Sequence, residues 1–559
     1  MLSLRRRALT LEASLFLGIL VVACGIRLGW VYSTPLDPSE AMRAVAAWRL
    51  QAGLPPDWWD APLFVLLQTA AFILFGSSDA SARLPSLLAG VGGIATLWLF
   101  RPYLGRWPVL VTAAFLAVSP SAAAAGSQAR EESLALVITL LLGWQLLSAL
   151  NEEAHRYQTL SAFGVAALLT LGYPGVTGLL VLLLYALAAT TVRSLRGRPV
   201  ASTRLLSYQA LAAIPAALFL ITTGLLQFMP GAGLPSLVAW TQHFEPTWEP
   251  YPWYRAWLFL AASDLPALCL GAPMAVAALV RWASRDPSPE DDTLAFFALW
   301  GLMGLGVILL STEGGLSQLA LVTLPFTILA GYQLANGLRL FSFQVMRQGW
   351  ANLAAAALLL LFAGLVLLQN SVRPNDGLFS PRTLALLALV AAVLAVSPIA
   401  LRQGSRPISA LTMTMVSLLV LVHSLTTLAM PGHWPGAAQV NPAIVTALTQ
   451  LTATSPYTTV GPAPQIAVAG GLNYAVAWPL RRVAAVNFGA EPPPEATVIV
   501  ASEAAAQGIG SGYQTSPLTL VETKNFQEWR SREVWRWLIF GELATDPAAT
   551  QRATLLVRF

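Results

Sequence analysis

Lysine is almost missing from this sequence, and charge of either sign is scarce. Lys524 is the one lysine in 559 residues, and charged residues make up 11% of the chain. Soluble globular chains carry about 25%, so an ordinary soluble surface is excluded. Cysteine is also scarce. Cys24 and Cys269 both fall in apolar segments, and neither a disulfide framework nor a metal-binding spacing follows from them. His243 has no second histidine or cysteine nearby, so it gives no argument for a metal. The net charge of +5 comes almost wholly from arginine. A basic balance can point to nucleic acid. Here the arginines sit in short loops between apolar runs, which is a topological signal, and no nucleic-acid partner is expected.

What is abundant is apolar sequence, at 56% of the residues. Runs long enough to cross a bilayer need about 18 residues with few charges. The first, Leu11 to Tyr32, follows Arg5, Arg6 and Arg7. It is too long for a signal-peptide core and is read as a retained helix with its basic end inside. Further runs begin near Leu84, Val109, Leu134, Leu160, Val176, Leu205, Ala256, Leu294, Leu316, Ala351, Leu384 and Ala410. The apolar stretch Pro62 to Phe75 is too short for a span and suits an interfacial helix.

The arginine loops fix the parity. Arg101 with Arg106, Arg193 to Arg204, Arg281 with Arg285, Arg339 with Arg347, and Arg402 with Arg406 all fall inside only if Pro62 to Phe75 does not cross. The sequence therefore predicts about 13 transmembrane helices, an inside N-terminus and an outside C-terminus. Residues 33–80 form the first external loop of a membrane domain spanning 1–430. From 431 to 559 the composition shifts to short strand-like runs: Gln465 to Ala469, Ala496 to Ala501, Leu518 to Glu522 and Thr554 to Phe559. Turn residues separate them, and a small external α/β domain is expected. The fold class is thus an all-α polytopic membrane protein with an α/β appendage.

Three external segments hold candidate chemistry. The first loop carries Asp37, Ser39 and Glu40. Carboxylates just outside a helix end can serve as a general base or hold a metal ion, although Asp37 and Ser39 are also common helix caps. The second segment is Gln128-Ala129-Arg130-Glu131-Glu132. Its acids suit a helix start, and Arg130 suits a phosphate oxygen. The third runs from Gln242 to Arg255 and is dense in tryptophan and tyrosine, with His243 and Arg255. It suits interfacial anchoring as well as seating a sugar or a lipid head group.

Taken together, these pieces resemble the GT-C membrane glycosyltransferases, the class of protein O-mannosyltransferases and aminoarabinose transferases. The resemblance rests on Ser39-Glu40, Pro62-Leu63, Phe75-Gly76, Ala82-Arg83-Leu84-Pro85-Ser86, Ser119-Pro120 and Ala129-Arg130-Glu131-Glu132. Gln242-His243, Pro252-Trp253-Tyr254, Leu310-Ser311-Thr312 ahead of Leu324-Pro325, and Trp535-Arg536-Trp537-Leu538 resemble its flippase-activity-associated branch. The chain departs from the pattern at Ser39, where the family usually has Asp, and at Glu132, where Asp is usual.

The resemblance implies a cell-envelope enzyme that moves a hexosyl or pentosyl group from a polyprenyl-phosphate donor to an acceptor on the external face. Glu40, Asp37 and Glu132 would be catalytic. Arg130, Arg83, His243 and Arg255 would bind substrate. A divalent cation (Mg or Mn) is compatible, and no metal ligands are assigned. The partners expected are the lipid-linked donor and membrane lipids. A non-catalytic handler of lipid-linked sugars is the alternative, and Ser39 favours it. A secondary transporter would need intramembrane acids, and Asp264 is the chief one in the spans.

Overall fold

The computed structural model describes residues 11–33, 35–54, 60–151, 158–196, 267–284, 288–310 and 316–339. In the C-terminal third it describes shorter pieces, chiefly 438–440, 466–469, 473–481, 486–489, 498–502, 512–523 and 548–558, and a few isolated residues lie between these. The membrane part opens with α1 (Leu11–Ser33), α2 (Pro38–Gln51), α3 (Pro62–Phe75) and α4 (Asp79–Thr96). A single 3-10 turn, Leu97–Phe100, joins α4 to the short α5 (Arg101–Leu104). Next come α6 (Arg106–Val118), α7 (Pro120–Ser127), α8 (Glu132–Asn151), α9 (Gln158–Leu169) and α10 (Gly172–Leu195). A π turn at Ala267–Gly271 leads into α11 (Ala272–Ser284), followed by α12 (Pro289–Leu310) and α13 (Leu316–Arg339).

Among the described residues, six helices are long and apolar enough to cross a membrane. They are Leu11–Tyr32, Asp79–Leu104, Glu132–Leu150, Gly172–Leu195, Pro289–Leu310 and Gln318–Asn336. The pair α6 and α7, bent by 66°, makes up to seven. This is a multi-pass membrane protein. The expected spans near Leu205, Ala351, Leu384 and Ala410 lie, but for a few isolated residues, outside the described residues, and the expected total of about 13 includes them.

The expected span from Val109 to Ser119 turns out to be half of that bent pair. Ser119 leaves the helix with an extended backbone, and its side chain caps Ala122 N–H. Pro120 then starts α7, where a missing N–H costs nothing. Arg27, buried in α1, reinforces the bend. Its Nη2 donates to the carbonyls of Leu116 and Ala122, and its Nη1 donates to Ala23 O. It reaches them past Gly90 and Gly126, where a Cβ on Gly126 would lie 2.7 Å from Arg27 Nε. A cation in this setting is stabilised by the partial negative charge at the end of α6.

The ends of the bundle differ in chemistry. At one end Arg101 pairs with Glu12, Arg193 pairs with Asp292, and Arg196 donates to the carbonyls of Trp282 and Ala283. At the other end lie the start of α4, the end of α1 and the start of α10. There Arg83 donates to Val31 O, and Leu63 N–H donates to Thr170 O. Both ends of α3 lie here, the first through that bond of Leu63 and the second because Ser78, three residues beyond Phe75, caps the start of α4. Helix α3 therefore runs across this end of the bundle, with Ile73, Leu74 and Phe75 exposed.

The C-terminal pieces form one six-stranded sheet. Its strands are β1 (Ala438–Val440), β2 (Ile466–Ala469), β3 (Val486–Gly489), β4 (Val498–Ser502), β5 (Tyr513–Thr523) and β6 (Ala548–Arg558). The order is β1-β5-β6-β4-β2-β3. Strand β2 runs parallel to β3 and β4, while β4 with β6, β5 with β6 and β1 with β5 are antiparallel. Helix α14 (Asn473–Leu480) crosses from β2 to β3, as a parallel pair requires. Each of the four strand-like runs in the sequence lies in or overlaps a strand. Strands β5 and β6 begin earlier than expected because polar residues such as Gln514, Thr515 and Ser516 give no apolar alternation.

Candidate active site

Three arginine–carboxylate pairs knit α2 to α4 and to the turn before α8. Asp37 is the N-cap of α2. Its Oδ1 accepts from Glu40 N–H at 2.8 Å and from Ser39 Oγ at 2.6 Å. Glu40 closes the capping box by accepting from Asp37 N–H through Oε2 at 2.9 Å, the reciprocal arrangement expected of such a box. Pro38 at the first helical position favours the same start.

Glu40 is also the buried hub. Arg83 donates from Nε to Oε1 at 2.9 Å and from Nη2 to Oε2 at 2.8 Å, and Ala129 N–H donates to Oε1 at 2.6 Å. Both side chains of this pair are only 2% exposed. With the bond from Asp37 N–H, each oxygen of Glu40 accepts two hydrogen bonds.

Asp37 is the more open acid. Its Oδ2 accepts from Arg130 Nη2 at 3.0 Å, and the two side chains are 16% and 17% exposed. Burial pushes the Asp37 carboxyl up, but the Arg130 charge and the bonds from Ser39 and Glu40 N–H outweigh it and hold the acid below its usual range. Burial likewise weakens the Arg130 cation, and the carboxylates of Asp37, Glu132 and Glu40 more than offset that. The backbone of Arg130 is pinned, because Ser86 Oγ donates to its carbonyl and accepts from its N–H.

The third pair went unnoticed in the sequence. Arg43 binds Glu131 through two bonds, 2.6 Å from Nε and 2.7 Å from Nη2. Burial raises the Glu131 carboxyl, but Arg43 outweighs it and the acid lies low. The available signal was spacing: Arg43 lies three residues after Glu40 and four after Ser39, so all share a helix face. Glu132 opens α8 and is buried, close enough for its charge to act on Arg130 and Arg43.

The structure thus gathers Asp37, Glu40, Arg83, Arg130 and Glu132 into one cluster. His243 and Arg255 lie outside the described residues. Among the described residues, no three histidine, cysteine, aspartate or glutamate side chains lie together as a metal set would require. A second element missed in the sequence is α14, which packs on α2. Trp478 Nε1 donates to Asp79 Oδ1 at 2.7 Å, and its ring stacks 5.6 Å from Phe72. Arg481 lies 3.7 Å over that ring and donates to Ser77 O at 2.8 Å.

Residues 59–221 match the family model described as dolichyl-phosphate-mannose-protein mannosyltransferase. No curated protein matches the chain by sequence. The fold is similar to that of ArnT from Cupriavidus metallidurans bound to undecaprenyl phosphate, with TM-score 0.57, 15% identity and coverage of 97% of each chain. The apo form of the same protein gives TM-score 0.55 at 15% identity, again over 97% of each chain. At that identity the likeness speaks for the fold, which is the GT-C membrane fold that the sequence motifs suggested.

Proposed function

We propose that this GT-C-fold protein is a glycosyltransferase that takes a sugar from a polyprenyl phosphate and gives it to an acceptor hydroxyl on the extracytoplasmic face. The observation that carries the reading is the pair Asp37–Arg130, a carboxylate and a guanidinium at hydrogen-bond distance and partly open to ligand. A positioned base beside a phosphate clamp is what such a transfer needs. The family match over residues 59–221 and the likeness to a protein bound to undecaprenyl phosphate support the same chemistry.

In this reading the Asp37 carboxylate takes the acceptor hydroxyl proton. The acceptor oxygen forms a bond to the anomeric carbon as that carbon's bond to the phosphate oxygen breaks. The polyprenyl phosphate leaves with the electron pair, and Arg130 stabilises its charge. A single displacement inverts the anomeric centre. Of the two acids proposed from sequence as the base, Asp37 suits the role better, because the acceptor sites on Glu40 are spent on Arg83 and backbone N–H groups. Ser39, at the usual Asp position, donates to Asp37, so the carboxylate is supplied from two residues away. The non-catalytic alternative is therefore not favoured. A divalent cation does not suit these acids as they stand. Asp37, Glu40 and Glu131 each face an arginine, which would repel a cation, and no step is drawn through one.

The orientation belongs to the proposal too. The arginine-rich end of the bundle would be cytoplasmic, and the end with Asp37 and the C-terminal sheet would be external. The test is transfer by purified protein in nanodiscs, using a radiolabelled polyprenyl-phosphate sugar and a lipid-extract acceptor. Label moving from donor to acceptor is expected. Donor that stays intact across acceptor fractions of lipid, glycan and protein would overturn the reading.

A further inference from the structure

Resting on that reading, we infer that Asp37 and Arg130 mask each other until the donor arrives: the donor's phosphate takes Arg130 away from Asp37, and this exchange frees the base.

Three features of the cluster point to the exchange. First, of the three ion pairs this one is the most open. Asp37 and Arg130 are 16% and 17% exposed, against 11% and 7% for Arg43–Glu131 and 2% for Arg83–Glu40. Second, its bond is the longest. Arg130 reaches Asp37 at 3.0 Å, whereas Arg43 holds Glu131 by two bonds of 2.6 and 2.7 Å. A phosphate offers a guanidinium more charge and more oxygens than a carboxylate does, so the pair most open to ligand yields first. Third, the backbone is fixed on both sides of the contact. Ser86 pins the Arg130 main chain, and the helix cap holds Asp37 through Oδ1. Only the Arg130 side chain has to swing, and only Oδ2 of Asp37 is released.

The consequence is an ordered reaction. While Arg130 sits on it, Asp37 is a poor base, because a neighbouring cation favours its ionised form over its protonated one. An acceptor that arrives first meets an inactive carboxylate. Once the phosphate has claimed Arg130, Oδ2 is free to receive the acceptor proton, and the charge needed to hold the leaving phosphate is already in place. Binding of the donor thus switches on the group that attacks it.

The exchange makes a prediction for donor binding as well as for turnover. Removing its charge should strengthen donor binding, because Arg130 no longer has to leave a partner. The probe is undecaprenyl phosphate, titrated by calorimetry into the full-length protein in nanodiscs. Asp37→Asn keeps the helix cap, since asparagine caps as well as aspartate. It should bind the lipid about three- to tenfold more tightly than the unmodified protein. Asp37→Ser, which also caps, should do the same, so a folding defect in one variant leaves the other to decide. Arg130→Gln should bind about 10- to 100-fold more weakly. If the aspartate variants bind no more tightly while Arg130→Gln binds weakly, the exchange is overturned and the donor site stands. If Arg130→Gln binds as the unmodified protein does, Arg130 is not the phosphate clamp and the exchange falls with it. If the unmodified protein does not bind the lipid, the proposed function itself is overturned.

Discussion

Arg83 grips Glu40 through both carboxylate oxygens, at 2.9 and 2.8 Å, where each side chain is 2% exposed. The same guanidinium donates to Val31 O and Pro35 O, so one arginine ties α4 to the end of α1 and to the loop carrying Asp37. Removing one partner of a buried pair leaves an uncompensated charge and costs about 3–5 kcal/mol, whereas replacing both with apolar residues is often close to neutral. Glu40→Gln should therefore lower the thermal unfolding midpoint of the detergent-purified protein by several degrees. The double variant Glu40→Met with Arg83→Met should recover part of that loss. A Glu40→Gln protein as stable as the unmodified one would remove the hub from the account.

Trp478 ties α14, the helix between β2 and β3, to the end of α3 and the start of α4. Its indole donates to Asp79 and stacks on Phe72, and Arg481 covers it. Trp478→Ala removes both the ring and the bond, and deleting a buried aromatic costs about 3–5 kcal/mol. It should undock α14 and open the 470–490 region to limited proteolysis. Trp478→Phe keeps most of the ring and loses one hydrogen bond, worth about 1 kcal/mol, so its digestion pattern should stay close to that of the unmodified protein. Equal cleavage of all three proteins would mean that the contact contributes nothing to docking.

The course of α3 makes a labelling prediction. Both of its ends attach to the end of the bundle that holds Asp37. With Cys24 and Cys269 replaced by alanine, single cysteines at Asp60 and Ser78 should both react with an impermeant thiol reagent added outside the cell. A cysteine at Arg106, at the arginine-rich end, should react only after the membrane is opened. Reaction at Asp60 alone would mean that α3 crosses the bilayer.

Much of this architecture was legible because the bilayer writes a strong signal into sequence. A 20-residue apolar run bounded by arginine loops allows few alternatives, and Leu134 to Leu150 or Leu294 to Leu310 lie within observed helices. The bend at Ser119 was harder to read. Val109 to Ser119 and the alanines after it are apolar throughout, and what breaks the helix is a local cap and a proline that hydropathy does not weigh. Asp37, Glu40, Arg83, Arg130 and Glu132 could be named together from the sequence because short motifs keep neighbouring residues together. Arg43 escaped, and Glu131 read only as a helix-start acid, because their pairing means nothing until α2 lies against the turn before α8. Trp478 and Arg481 escaped for the same reason, since their partners Asp79 and Ser77 are about 400 positions away in the chain, and no local pattern encodes such a contact. The difference in setting between Asp37 and Glu40 also needed the structure. Both are acids at a helix start, and only their hydrogen-bond partners separate a saturated buried carboxyl from one that is open to ligand.

The central claim is that Asp37 is the base and that Glu40 holds the site together. It is tested most directly by turnover per folded, lipid-binding molecule in Asp37→Asn, using the labelled polyprenyl-phosphate sugar. The loss of a positioned base costs about 100- to 10,000-fold. A loss in that range is expected, with undecaprenyl phosphate binding retained or strengthened. An Asp37→Asn protein that binds the lipid and transfers sugar at the unmodified rate would contradict it.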